Sequence, residues 1–182
     1  MRVITGAARG LPLKTLPGEE VIRPTSQRVK EAMFSAIQFE IEGKTVLDAF
    51  AGCGQLGIEA LSRGAVAGVF WDVSKEAIAT ITDNLTRAKL SDKATLRQGD
   101  ALMLFRRTAD LWDIIFLDPP YGQGLLQEAI PLAAAHLSPG GLLLCEAPAK
   151  ESLPEQAEDV YLHKTYKHGK TKVLLYRRQT AD

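Results

Sequence analysis

The sequence predicts an α/β fold: a mostly parallel, seven-stranded sheet with helices on both faces, ending in an antiparallel hairpin. Two observations predict this fold. From residue 44 onward, short apolar runs alternate with amphipathic runs, a pattern typical of parallel strands joined by crossover helices. Near the C-terminus, two strand-like runs flank a short KHGK turn, which indicates a hairpin.

Each element has its own signal in the chain. Continuous apolar runs predict the strands, at residues 45–51, 67–72, 94–98, 113–118, 141–147, 160–166 and 171–177. Helical periodicity predicts the helices, at residues 23–37, 55–64, 74–90, 102–107 and 125–137. Thr25 or Ser26 is the expected N-cap of the first helix. Ser74 is the expected N-cap of the third.

The N-terminal part of the chain differs from the rest. Residues 1–22 contain short β-like pieces broken by glycine and proline, which we expect to form a small extension packed on the main sheet. At 182 residues the chain is long enough for one domain with a sizeable core. We therefore expect a single domain over residues 1–182, with an extension at 1–40 and a core at 41–182.

The composition excludes several classes of protein. Hydrophobic residues make up 46% and charged residues 24% of the chain, which is ordinary for a globular protein. No apolar run approaches the roughly 20 residues of a membrane span, and no secretory signal is recognisable. Cys53 and Cys145 stand in unrelated contexts without metal-ligand spacing. These features predict a cytoplasmic protein without a metal site.

The net charge of zero hides an uneven distribution. Residues 1–30 carry six basic and two acidic side chains, whereas residues 31–150 carry ten and fifteen. All six basic residues of the tail lie between Lys164 and Arg178, where there is no acid. Basic ends around an acidic middle suggest that the ends contact an anionic partner, although chance clustering on solvated faces gives the same pattern.

A glycine-rich loop follows the first parallel strand and opens a helix. Its letters GCGQLG, from Gly52 to Gly57, match the dinucleotide fingerprint, and Asp72 ends the next strand where a ribose would need an acceptor. A nicotinamide or flavin enzyme is therefore one open hypothesis. Asp48 argues against it, because a carboxylate close to a pyrophosphate is unfavourable.

Acidic residues stand at the ends of four successive strands: Asp48, Asp72, Asp100 and Asp118. The carboxyl ends of parallel strands line one crevice, where ligands bind. Four carboxylates suit a cationic ligand such as S-adenosylmethionine, which carries a sulfonium and an ammonium group. The alternative is structural: Asp48 would accept backbone N–H groups, and Asp72 and Asp100 would be helix N-caps.

The fourth strand ends in the stretch DPPY, from Asp118 to Tyr121. Pro119 and Pro120 cannot continue a central strand, so they build a stiff corner there. Such a corner offers the Asp118 carboxylate, the Pro119 carbonyl and an aromatic ring to a ligand. An ordinary strand-ending turn with a partly buried tyrosine is the alternative.

These motifs together resemble a known family. VLDAFAGCGQLGIEAL, FWD, GDAL and DPPY, in this order, are similar to Rossmann-like class I methyltransferases that use S-adenosylmethionine. With RVITGAARGLPL and IRPTSQRVKEAMFSAI added, nearly the whole chain resembles the bacterial 16S rRNA guanine-N2 methyltransferase family, RsmD. Cys53 stands where small residues such as serine are usual.

The resemblance implies an enzyme that methylates the N2 amine of a flipped-out guanine in 16S rRNA, within the small ribosomal subunit or its assembly intermediate, and that acts as a monomer. The implied cofactor contacts are Asp48, Phe50, Gly52, Gly54, Asp72, Val73, Asp100, Ala101 and Asp118. The implied catalytic corner is Asp118, Pro119, Pro120 and Tyr121. An adenine-N6 methyltransferase on DNA or RNA is the alternative within the class.

An amine conjugated with a purine ring is a poor nucleophile and has to be held in place. Asp118 and the Pro119 carbonyl would accept its two hydrogens, and Tyr121 would stack on the base, a contact worth roughly 1–3 kcal/mol. The basic ends would bind RNA phosphates. The candidates for this role are Arg9, Arg23, Arg28, Lys167 and Lys170. The stretch at Arg23 could equally line the cofactor cleft.

Overall fold

The computed structural model describes residues 1–16 and 24–180. Its parallel strands are β1 (Thr45–Asp48), β2 (Ala67–Asp72), β3 (Ala94–Gln98), β4 (Trp112–Leu117) and β5 (Leu137–Pro148). The helices are α1 (Pro24–Ala36), α2 (Gln55–Ser62), α3 (Lys75–Ala88), α4 (Ala101–Phe105) and α5 (Leu125–Ala135), with a 3₁₀ turn at Ser91–Lys93. The alternation predicted from the sequence is confirmed.

Strands β6 (Gln156–Ala157), β7 (Val160–His168) and β8 (Thr171–Arg178) follow, and β7 and β8 form the expected antiparallel hairpin. Over the described residues the sheet has eight strands, in the order β3-β2-β1-β4-β5-β8-β7-β6. The expectation of seven strands was wrong by one, because the two-residue strand β6 (Gln156–Ala157) pairs with the start of β7. A strand this short leaves no periodic signal in a sequence.

Alternating side chains of the strands fill two separate cores. Along β1 and β4, Val46 and Phe116 belong to the core beneath α1, α2 and α3, whereas Leu47 and Leu117 belong to the core beneath α4 and α5. The period of two is that of a strand buried on both faces. Helices therefore cover both faces of the sheet, whereas the carboxyl ends of its strands are not covered by them.

The N-terminal segment is hydrogen-bonded to helices, and its buried side chains Val3, Ala8 and Leu13 belong to the core beneath α1, α2 and α3. A bridge between Arg2 and Pro12 folds it back on itself. The Ala8 N–H donates to Ser62 Oγ on α2 at 3.0 Å, and the Lys14 N–H donates to Asn84 Oδ1 on α3 at 2.8 Å. Its position is thus fixed by the two helices that flank the glycine loop.

A buried ionic cluster joins this segment to α1 and α2. Lys30 is 2% exposed, and its Nζ lies 3.0 Å from Glu59 Oε2. The same carboxylate accepts the N–H groups of Ile4 and Thr5 and the Nε–H of Arg63. Burial lowers the pKa of Lys30, and Glu59 opposes that shift. Lys30 therefore belongs to the interior, although its sequence context places it among the surface bases.

No helix in the described stretches 1–16 and 24–180 is both long and apolar enough to cross a membrane.

Candidate active site

A cleft of about 1200 Å³ opens at the carboxyl ends of the parallel strands. Strand β1 lies between β2 and β4. The chain therefore passes from β1 to β2 on one side, and β4 lies on the other side of β1. Ligands of open α/β sheets bind at such a switch point. The loops after β1, β2, β3 and β4 contribute to its lining, together with the end of β5 and the turn between β7 and β8.

The glycine loop between β1 and α2 depends on positive φ angles. Gly52 has φ 54° and Gly54 has φ 80°, a region that other residues rarely adopt. A Cβ on Gly57 would lie 2.3 Å from the Phe70 ring, so this glycine lets α2 pack closely on β2. Asn84 ties the loop to the N-terminal segment, because its Nδ2 donates to the carbonyls of Cys53 and Lys14.

Asp72, at the end of β2, organises two neighbouring loops. Its Oδ2 accepts the Gly52 N–H and its Oδ1 accepts the Ser74 N–H, both at 2.8 Å. Asp100 is the N-cap of α4, with the Met103 N–H at 2.9 Å from its Oδ1. Asp100 is therefore a helix N-cap, as the structural alternative predicted. The carboxylates of Asp72 and Asp100 also line the cleft.

Asp48 lies beneath the loop and is 1% exposed. Its Oδ2 accepts the Gly57 N–H at 2.9 Å, whereas its buried Oδ1 has no hydrogen-bond partner in the described part of the chain. Burial raises the pKa of Asp48 to about 7; the Gly57 N–H opposes this shift, and nearby Asp72 adds to it. Asp48 is absent from the cleft lining, so its influence on a ligand would be through the loop.

The DPPY corner closes the other side of the cleft. Asp118, Pro119, Pro120 and Tyr121 all line it, together with Gly52 and Asp72. The ring of Tyr121 is half exposed, and its hydroxyl donates to Glu146 Oε1 and lies 3.5 Å from Thr171 Oγ1. Burial and the Glu146 carboxylate raise the pKa of the Tyr121 phenol above its ordinary value. The ring is thus held by its hydroxyl, with much of its surface open to the cleft.

Glu146 is a further acidic residue of the cleft, and it was not predicted from the sequence. It lies near the carboxyl end of β5 and lines the cleft. Burial raises its pKa above the ordinary value, and the hydrogen bond from Tyr121 opposes the shift. The signal was present, because Glu146 follows an apolar strand run just as the four predicted aspartates do.

The charges lining the cleft are mostly negative. Among the residues that the structure describes, Asp72, Asp100, Asp118 and Glu146 line the cleft with one basic side chain, Lys170, which stands with Gly169 at the tip of the β7–β8 hairpin. A cleft with this balance attracts a cation and opposes a pyrophosphate.

The cleft brings together most of the residues predicted from the sequence. Its lining includes Phe50, Gly52, Asp72, Val73, Asp100, Ala101, Asp118, Pro119, Pro120, Tyr121 and Lys170. Gly54 and Asp48 lie behind the lining. Arg9, Arg28 and Lys167 are exposed outside it. Arg23 lies outside the described residues, so its predicted place at the RNA or the cleft stays a prediction.

Several bases at the chain ends are already paired. Arg177 makes two hydrogen bonds of 2.9 Å to the Glu40 carboxylate, Arg178 pairs with Asp159, and Lys14 pairs with Asp83. Helix α1 packs against β7 and β8. Basic side chains from both ends of the chain therefore lie on elements that pack against each other. Arg28 on α1 and Lys164 and Lys167 on β7 are exposed.

Comparisons with known proteins cover the whole chain. A family model described as conserved hypothetical protein 95 matches residues 1–177. The ribosomal RNA small subunit methyltransferase D of Escherichia coli strain K12 is 32% identical over 183 residues, which cover 98% of this chain and 90% of that protein. The protein of the same name from Haemophilus influenzae is 35% identical over 151 residues, which cover 80% of this chain and 78% of that protein.

Among solved structures, that of the Escherichia coli protein yhhF superimposes with a TM-score of 0.86 at 31% identity. The superposition covers 100% of this chain and 99% of that one. The likeness therefore includes the N-terminal segment and the hairpin as well as the sheet and its cleft.

Proposed function

Because this chain belongs to the ribosomal RNA small subunit methyltransferase D family, we propose that it methylates the exocyclic N2 amine of a guanine in 16S rRNA. The family predicted from the sequence motifs is confirmed, and the fold is the Rossmann-like class I methyltransferase fold. The methyl donor is S-adenosylmethionine. The relatives are rRNA methyltransferases by name, and this chain is one as well.

One observation carries the proposal: the glycine loop and the DPPY corner line the same cleft. Methyl transfer requires the donor and the acceptor amine to meet without intervening protein. Gly52, Asp72 and Asp100 follow β1, β2 and β3, whereas Asp118 and Tyr121 follow β4, which lies on the other side of β1. Proximity and orientation can supply much of the rate enhancement once both partners are held.

The lining fits the proposed donor. S-adenosylmethionine supplies an electrophilic methyl group on a positively charged sulfur. Asp72, Asp100 and Asp118 line the cleft and give it the opposite charge. In the proposed complex Asp72 and Asp100 accept hydrogen bonds from ribose and adenine. Phe50, Val73 and Ala101 add apolar contacts beside them. A nicotinamide cofactor would place its negatively charged pyrophosphate close to the same carboxylates, and Coulomb repulsion disfavours this.

The DPPY corner orients the amine. The Asp118 carboxylate and the Pro119 carbonyl accept the two N2 hydrogens, which turns the nitrogen lone pair toward the methyl group. Pro119 and Pro120 fix the backbone, so little conformational entropy is lost when the base binds. The half-exposed Tyr121 ring stacks on the base. A stacked or paired guanine cannot enter such a corner, so the target nucleotide is flipped out of its helix or loop.

The basic ends hold the RNA. Arg9, Arg28, Lys167 and Lys170 provide phosphate contacts, which give affinity without reading sequence. Lys170 also lines the cleft, so the hairpin tip connects the RNA surface with the target base. The enzyme works as a monomer in the cytoplasm on the small subunit or its assembly intermediate. Residues 1–40 add to the RNA surface and to the rim of the cleft, where Leu16 already contributes.

The test is transfer of labelled methyl groups from S-adenosylmethionine to purified small ribosomal subunits that lack the modification. Nucleoside mass analysis should find N2-methylguanosine at one position. N6-methyladenosine as the product would replace the guanine assignment by the adenine alternative. Tight binding of NADH, with no response to S-adenosylmethionine in a titration, would reject the methyltransferase proposal altogether.

A further inference from the structure

Glu146 and Asp118 occupy neighbouring positions at the ends of two adjacent strands. In the parallel register of β4 and β5, Leu117 pairs with Cys145, so the next residue on each strand is one of these two acids. Both line the cleft. The corner therefore has two acidic residues on adjacent chain segments, both close enough to Tyr121 to raise the pKa of its phenol, and the proposed function uses only one of them.

The two oxygens of Glu146 have different surroundings. Oε1 accepts the hydroxyl of Tyr121, which also lies 3.5 Å from Thr171 Oγ1. Within residues 1–16 and 24–180 this is the only side-chain hydrogen bond of the Glu146 carboxylate, and its second oxygen is left for a ligand. An ionised carboxylate accepts hydrogen bonds and donates none.

The Watson–Crick edge of guanine matches two adjacent acceptors. Its N2 amine and its N1–H are neighbouring donors that point in nearly the same direction. Adenine has an amine next to N1 as well, but its N1 is an acceptor. A second carboxylate facing N1 would therefore bind guanine and repel adenine, because a lone pair would then face a lone pair.

We propose that Glu146 is the residue that selects guanine: one oxygen anchors the Tyr121 ring, and the other accepts the N1–H of the flipped base while Asp118 holds its N2 amine. This proposal rests on the proposed function, and it assigns the choice of base to a residue outside the DPPY motif. The motif itself is compatible with either purine.

The test compares two target bases that share the amine. Small subunits are reconstituted from 16S rRNA with guanine or 2-aminopurine at the modified position, since 2-aminopurine keeps the 2-amine but has an acceptor at N1. Single-turnover methyl transfer should favour guanine by about 10- to 100-fold in the wild type. Equal rates on the two bases would overturn the proposal without any variant.

Glu146→Gln then reverses the polarity at one atom, since a carboxamide can donate to the N1 of 2-aminopurine. The preference for guanine should fall at least about 10-fold, while the affinity for S-adenosylmethionine changes only a few-fold. Glu155→Gln, the same change at an exposed residue outside the cleft, should leave the preference as in the wild type. An unchanged preference in Glu146→Gln would overturn the proposal.

Tyr121→Phe separates base selection from ring anchoring. It removes the hydroxyl that bonds to Glu146 and should slow transfer to both bases by a similar factor. If it reproduced the loss of preference seen with Glu146→Gln, Glu146 would act only through the tyrosine, and the proposal would fall. A wild type that transfers no methyl group to guanine subunits would instead refute the proposed function itself.

Discussion

At the residue scale, Asp48 shows that burial in the fold determines the protonation state of a carboxyl group, which the sequence alone does not. The carboxyl group is buried, and only Oδ2 is hydrogen-bonded. Its pKa rises from 3.8 to about 7 in the folded chain, mainly through burial. Between about pH 4 and pH 7 the folded state therefore keeps a proton that the unfolded state has released. As the pH rises through this range, Asp48 lowers the free energy of unfolding.

We predict that Asp48→Asn stabilises the ligand-free protein near neutral pH. The amide keeps an acceptor for the Gly57 N–H and cannot ionise. The difference in free energy of unfolding between the variant and the wild type should grow by about 2–3 kcal/mol from pH 5 to pH 7.5. Urea unfolding at the two pH values measures it, with Asp92→Asn at an exposed position as the control. A difference that shrinks with rising pH would contradict the assignment.

At the scale of elements, Glu59 joins the N-terminal segment to α1 and α2. It is fully buried, and it accepts the Ile4 and Thr5 N–H groups and faces the Lys30 ammonium. Removing one partner of a buried ion pair leaves an uncompensated charge in the interior, whereas an exposed pair contributes little.

Glu59→Gln should therefore destabilise the protein by about 3–5 kcal/mol. Hydrogen exchange at the Ile4 and Thr5 amides should quicken, because they lose a charged acceptor. Lys14→Ala removes the exposed pair with Asp83 and should cost about 0–1 kcal/mol. Equal unfolding midpoints for the two variants would show that the Glu59 cluster does not fasten the segment.

Most elements could be predicted because their signals are local. The strands Ala67–Asp72 and Ala94–Gln98 have the predicted bounds, and Ser74 caps α3 by accepting the Ala77 N–H. Strand β5 begins at Leu137, earlier than predicted, because Leu137 pairs with Trp112 across a register shift. Such a pairing depends on the neighbouring strand and is invisible in the local sequence.

The lining of the cleft was predictable where chemistry and position coincide. Asp72, Asp100 and Asp118 follow strands and line the cleft, because parallel topology brings strand ends together. The burial of Lys30 could not be predicted, because its partner Glu59 is distant in sequence and each side chain alone suggests a solvated surface. Glu146 was missed for another reason: the carboxylate pattern was followed through four strands and not to the fifth.

At the scale of the whole molecule, the acidic cleft lies beside the basic chain ends, and the proposed function assigns the methyl donor to the cleft and the RNA to the ends. Helix α1 packs on the β7–β8 hairpin, so bases from both ends of the chain lie on adjoining elements. The tip of the hairpin enters the cleft. An RNA held on the hairpin would therefore present its flipped base beside the DPPY corner.

We predict that Lys167→Ala weakens binding to small subunits and lowers the salt dependence of binding by about one unit of log–log slope, as the loss of one phosphate contact should. S-adenosylmethionine affinity should not change. Lys44→Ala is the matched control, because Lys44 is exposed just before β1, at the opposite end of the strands from the cleft. Equal salt-dependence slopes for the two variants would show that Lys167 makes no phosphate contact with the RNA.

Methyl transfer by Asp118→Ala tests the central claim most directly, when S-adenosylmethionine affinity is measured on the same preparation. Loss of the acceptor for the target amine should slow single-turnover transfer to small subunits by about 100-fold or more, while donor affinity changes only a few-fold. Full transfer activity in this variant, with N2-methylguanosine still the product, would contradict the account.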